Sequence, residues 1–166
     1  MMGARLIVGS LAAAGLSASV GAEPADPYVA LKVMDGHWVA TASNGHTRAI
    51  DNHCARTGVF FECEQSVNGK AAALVVFLPQ QSGRRGLAYR VQTLTAAGDR
   101  PGPWRDLLID KDRWTYGEAV RSPGHGRAER TIDTYSGPDF MHVEVEAQGN
   151  RGTWTTVSSG DLTRAP

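Results

Sequence analysis

From residue 38 to residue 159 the chain never goes far without a Gly, Pro, Asn or Asp, and the runs between these breakers are rich in Val, Thr, Trp, Tyr and Phe. β-branched and aromatic residues suit a pleated surface, and frequent breakers leave no room for a helix to develop. Ten runs read as strands: Trp38 to Ser43, Thr47 to Cys54, Val59 to Val67, Ala71 to Leu78, Leu87 to Thr95, Arg105 to Ile109, Arg113 to Glu118, Arg127 to Tyr135, Phe140 to Gln148 and Thr153 to Ser159. Asn44-Gly45 and Asn68-Gly69 are dipeptides suited to type I′ hairpin turns, and Asp110-Lys111-Asp112 and the stretch Gly149 to Gly152 are short polar turns. Strands joined so tightly must be antiparallel neighbours. The expected fold is therefore all-β, an antiparallel up-and-down β-barrel of eight to ten strands. Asp26 as N-cap, Pro27 at the first helical position and Gly36 as a stop predict a short N-terminal capping helix, with Tyr28, Leu31, Val33 and Met34 on its apolar side.

Alternation predicts one wet and one dry face. Leu87, Tyr89 and Val91 alternate with Ala88, Arg90 and Gln92, and Met141, Val143 and Val145 alternate with His142, Glu144 and Glu146. Ala71 to Leu78 is apolar on both faces, so its outer side is expected to be covered, and a homodimer through this strand is one way to cover it.

The N-terminal residues 1–22 carry Arg5, then an apolar run from Leu6 to Leu16, then small residues ending at Val20-Gly21-Ala22. That is the layout of a cleavable signal peptide, with Glu23 as the mature N-terminus and 23–166 as a single domain. The run is short of the roughly 20 residues of a membrane span, so a retained anchor is the weaker reading, and no cysteine marks a lipid attachment site. The expected location is periplasmic or secreted, with no membrane insertion after cleavage. Lys and Arg total 17 and so do Asp and Glu, so no electrostatic case exists for nucleic acid as a partner. In an oxidising compartment Cys54 and Cys63, nine residues apart across a turn at Thr57-Gly58-Val59, are expected to form a disulfide between neighbouring strands. A redox or metal-binding pair is the rival, and the spacing is not C-x-x-C.

At Gly36-His37-Trp38 a pattern emerges: a short capping helix, G-x-W opening the first strand, a run of hairpins, and Arg164 near the C-terminus. This resembles the lipocalin-type barrels of the calycin superfamily. With a Cys ending the second strand, Phe60-Phe61-x-Cys63-x-Gln65 and a closing Gly152-x-Trp154, the layout is similar to small exported bacterial lipocalin-like domains of unknown function. The resemblance implies a barrel with an internal cavity, in which Trp38 packs across the closed end against a basic residue near the last strand, Arg164 or Arg151.

Residues able to carry chemistry are few. His37, His46, His53, His125 and His142 show no ligand spacing, so no metal site is expected. His142 alternates with Phe140 and Glu144, so a barrel interior could present it to a ligand. Glu62/Glu64 and Glu144/Glu146 each share a strand face about 7 Å apart, a pattern that more often marks the solvent side than an acid/base pair. No catalytic fingerprint is present, and no cofactor is implied. Tyr89, Trp114, Tyr116 and Phe140 are the candidate ligand-binding aromatics, because barrel closure brings inner faces together; such rings also simply fill cores. Two functions remain open: a binding protein holding a small apolar or amphipathic ligand inside the barrel, and a structural or interaction protein of the cell envelope with a filled barrel. An enzyme is the least supported class.

Overall fold

The structure, a computed structural model, describes residues 26–80, 86–98, 100–118, 128–149 and 151–166. The proposed signal peptide and His125 lie outside the described residues. Ten antiparallel strands form a closed barrel: β1 (Gly36–Ala42), β2 (Thr47–Thr57), β3 (Phe60–Val67), β4 (Lys70–Pro79), β5 (Leu87–Thr95), β6 (Arg105–Asp110), β7 (Arg113–Glu118), β8 (Glu129–Tyr135), β9 (Phe140–Gln148) and β10 (Trp154–Arg164). Each strand pairs with its chain neighbours, and β1 pairs with β10 to close the sheet. Closure leaves no free edge.

Three local expectations are revised. The helix is a single 3-10 element, Ala30–Met34, whose N-cap is Val29 and not Asp26, which instead accepts the Tyr28 N–H at 3.1 Å; Gly36 stands at the C′ position with positive φ, as expected, and opens β1. Asn68 and Gly69 both have positive φ, as a two-residue I′ turn requires, whereas of the pair Asn44-Gly45 only the glycine does. There the Asn44 side chain accepts the His46 N–H at 3.1 Å, which builds a longer turn. The last strand runs five residues beyond the expected Ser159, because Gly160 acts as a spacer here and not as a breaker. A Cβ on Gly160 would lie 2.9 Å from the Thr41 carbonyl oxygen, so glycine allows β10 to press against β1. A bulge between Thr156 and Ser158 adjusts the register.

That extension delivers Arg164 to the end of the barrel. Its guanidinium lies 4.4 Å from the Trp38 ring centroid. The same group donates to Asp35 O at 2.7 Å, to Val33 O at 2.9 Å and to Pro138 O, and it pairs with Asp139 at 3.2 Å. Gly36 makes room for it: a Cβ there would stand 2.6 Å from an Arg164 nitrogen, and the positive φ of 111° also favours glycine. The 3-10 element is thereby fastened across the opening. Leu31 is fully buried beneath it, Tyr28 donates to Val59 O at 2.5 Å, Tyr89 donates to Pro27 O, and Trp38 Nε1 and Asn52 Nδ2 both donate to Met34 O.

The Cys54–Cys63 disulfide joins directly opposed positions of β2 and β3, with Cys63 in the core. Closing so short a loop stabilises the fold by roughly 2 to 3 kcal/mol in the chain-entropy model.

Arg164→Ala removes the carbonyl bonds and the ring contact together and is expected to lower the unfolding free energy by about 3 kcal/mol. Arg164→Lys, a point charge without the planar fork, should recover less than half of that in urea denaturation. A lysine variant as stable as the parent would refute this account of the clasp.

Candidate functional site

Strand register assigns every side chain to one face of the sheet, because directly opposed residues share a face. The chain of partners Tyr89↔Leu107↔Tyr116↔Thr131↔Val145 runs around the interior, as does Ile109↔Trp114↔Asp133↔Val143. Tyr89, Trp114 and Tyr116 therefore point inward. Phe140 and His142 do not meet them: Met141 opposes buried Tyr135, so its neighbours on β9 face outward. On that outer face His142 Nδ1 lies 2.6 Å from Asp161, and His37 Nδ1 lies 2.5 Å from Asp51. Glu62, Glu64, Glu144 and Glu146 are also outward, opposite Val76, Leu74, Ile132 and Arg130.

The interior divides into two levels. At the level of the plug, Trp38, Phe61, Phe77, Tyr89, Ile109 and Trp114 are all buried. Their rings touch: Trp114 and Tyr135 have centroids 4.7 Å apart, Phe61 and Phe77 6.2 Å, and Phe61 stacks on Tyr28 at 5.9 Å. This is a sealed aromatic floor. Trp114 thus belongs to packed core and not to an open pocket.

Above the floor the burial changes. Ile50, Val75, Val143, Val145 and Leu162 share the inner face with the floor residues yet keep part of their surface accessible, and Thr93, inward beside Val75, is exposed. An inward valine in a closed barrel stays accessible only where no side chain fills the space before it. This part of the inner face, toward the end where β1–β2, β3–β4 and β9–β10 turn, is mixed in character: the register sets Arg48, Gln65, Thr131 and Glu129 on it beside the aliphatic residues.

A buried carboxyl sits low on this wall. Asp133 on β8 is only 8% exposed and takes a hydrogen bond from the Tyr116 hydroxyl. Burial raises its pKa from 3.8 to about 7, against the opposing pull of the Tyr116 bond and the Arg105 charge. Burial likewise pushes the Tyr116 and Tyr135 hydroxyls up, so both remain donors. Arg105, inward at the head of β6, donates from Nη2 to the Tyr116 carbonyl at 3.4 Å. Asp133 and Arg105 are not evident from the sequence. In Thr131-Ile132-Asp133 the isoleucine is the natural choice for the dry face, and only the β7–β8 register, set across a long connection, shows otherwise. Among the described residues no cluster of three or more metal-ligating side chains is found.

No protein-family model and no curated protein matches the chain. The fold and the site define a closed ten-stranded antiparallel barrel with a plugged floor and a partly accessible inner face above it.

The Asp133 carboxyl generates a pH signature. Its folded pKa lies above its unfolded value, so the folded protein holds a proton that the unfolded chain releases between about pH 4 and 7, and unfolding free energy falls across that window. Linkage sets an upper limit of roughly 4 kcal/mol on the fall. Asp26 and Asp51, whose pKa values are lowered by hydrogen bonds with Tyr28 and His37 respectively, act with the opposite sign and on the acid side of the window. Asp133→Asn keeps an acceptor for Tyr116 without the proton, so its stability from pH 5 to 8 should be flatter than that of the parent and higher at pH 8. Parallel slopes for parent and variant in denaturant titrations would refute the assignment.

Proposed function

We propose that the protein is a lipocalin-like binding protein of the periplasm or extracellular space that holds a small apolar or amphipathic ligand in the upper half of its barrel. The observation that supports this most is the run of inward, partly accessible Ile50, Val75, Val143 and Val145 above the sealed floor. Exposed inward apolar surface is costly to leave against water and is recovered when an apolar molecule enters, at about 25 cal/mol per Å². The separation of roles also supports it: stability resides in the clasp, plug and floor, so the chamber wall is free to serve a ligand. The disulfide fits an oxidising compartment, and no described helix is long and apolar enough to cross a membrane.

The test uses the neutral fluorophore N-phenyl-1-naphthylamine and the variant Val145→Trp. The parent is expected to bind the probe with a blue-shifted emission. The variant should fill the chamber, lose the probe, and change stability by less than about 1 kcal/mol, whereas the same insertion into a packed core costs roughly 1 to 3 kcal/mol. A parent that binds no probe, with a variant destabilised by several kcal/mol, would leave the filled-barrel reading standing.

A second reading concerns the outside. Leu74, Val76 and Leu78 of β4, with Leu94 of β5 and Leu108 of β6, form an outward apolar strip, flanked by Glu62 and Glu64 on β3 and by Arg90 on β5. A two-fold axis along β4 would lay one strip on another and bring the acidic flank of each copy to the basic flank of its twin. On this reading the protein is a homodimer that Val76→Glu converts to monomer in light scattering after size exclusion. A monomeric parent removes it.

A further inference from the structure

The two sulfurs of the disulfide have different surroundings. Cys63 is 1% exposed and belongs to the core layer with Phe61 and Phe77, whereas Cys54 is only partly buried. Cys54 also lines a cavity of about 320 Å³ between the plug and the β2–β3 hairpin, together with Tyr28, Lys32, Asp35, Arg56 and Phe61. The charges around this cavity offset one another: Asp26 pairs with Lys32 at 3.2 Å and lies 3.8 Å from Arg56, and Asp35 accepts the Cys54 N–H at 2.8 Å. An incoming thiolate is therefore neither strongly drawn in nor held away by charge, and access decides which sulfur it reaches.

We propose that the folded protein exchanges its disulfide with an external thiol or dithiol from one side only, through Sγ of Cys54. The incoming thiolate attacks that atom, the Cys54–Cys63 bond breaks, and the electron pair leaves on Cys63, which takes a proton from water. A second thiolate then attacks the mixed disulfide at its external sulfur, releasing an external disulfide and Cys54 as a thiolate that is protonated in turn. Two thiols are oxidised for one disulfide reduced. The reverse sequence forms the bond: Cys54 enters the mixed disulfide, and Cys63, directly opposite it across β2 and β3, resolves it. Burial of Cys63 acts in both directions. A thiolate in apolar surroundings is a poor leaving group, so opening is slow; and because Cys63 stays beside Cys54 in the register, the mixed disulfide closes again at high effective concentration. The partner that fits is a small thiol or a thiol–disulfide oxidoreductase acting on the finished barrel, with no need for β2 and β3 to separate. None of this depends on what the upper half of the barrel holds.

The test compares two single-cysteine variants, Cys63→Ala and Cys54→Ala, in their reaction with dithiobisnitrobenzoate without denaturant, each shown to be folded by its urea midpoint. Cys54 is expected to react about a hundredfold faster than Cys63, whose reaction should speed up only as urea opens the barrel. The parent, which needs neither substitution, is treated with excess mercaptoethanol, quenched in acid and alkylated. Trypsin separates the two cysteines after Arg56, into peptides 49–56 and 57–70, so mass spectrometry assigns the adduct. The expected adduct is on Cys54 alone. Similar rates for the two cysteines in folded variants, an adduct on Cys63, or no adduct until urea unfolds the parent overturns the proposal.

Discussion

The contact between Arg164 and Trp38 is the constraint on which the rest of the barrel depends. A ten-stranded sheet closed on itself encloses more space than a single ring of side chains fills, so one end must be sealed before the interior can be dry. Arg164 does this from the last residue of β10. Its planar group covers the Trp38 ring and spends its donors on carbonyls of the plug at Val33 and Asp35 and of the β8–β9 turn at Pro138. The two chain ends are thereby joined to each other and to the floor. Because these acceptors are backbone atoms, the clasp needs the guanidinium and a glycine at position 36 but little else from the surrounding sequence.

The floor follows from the clasp. Once the plug is held, Leu31 and Tyr28 press on Phe61, Phe61 on Phe77, and the layer continues through Tyr89 and Ile109 to Trp114 and Tyr135. The disulfide ties β2 to β3 beside this layer, at Cys63 in the core. Apolar burial is thus concentrated in one half of the barrel. The other half presents the inward, partly accessible Ile50, Val75, Val143 and Val145, with Ile50 and Val75 still packed against the layer below.

Much of this architecture is legible in the residues, and the limits of that legibility have physical causes. The strand count and pairing order follow from period-2 alternation and from turns such as Asn68-Gly69, whose two positive φ values allow only one hairpin geometry. Where a connection is long, register is free, and the face of a strand cannot be read from its own pattern alone. Strand β8 shows the effect: nothing in Thr131-Ile132-Asp133 reveals that the acid faces in, because the offset to β7 is set by tertiary closure. Phe140 shows a related one: at the first position of β9, an aromatic reads as core, yet its parity with His142 and Glu144 sends it outward. Gly160 was ambiguous for another reason, since a glycine that ends a strand and a glycine that admits a close neighbour look alike until the neighbour is in place.

An acid buried in the wall of a barrel is tolerable only if it is neutral or paired, and Asp133 is placed so that either can hold. With Tyr116 donating to it and Arg105 near, its ionised form is better off than burial alone would leave it, and its protonated form carries no charge to solvate. The pair of states spans neutral pH, so the charge at Asp133 changes by one there, while in the floor burial raises Tyr89 to about 12 and pushes Tyr135 up as well. Acidity therefore acts on the wall at Asp133 and not on the tyrosines of the floor. A barrel built in this way can vary the polarity of its interior while the tyrosines of its floor keep their protons.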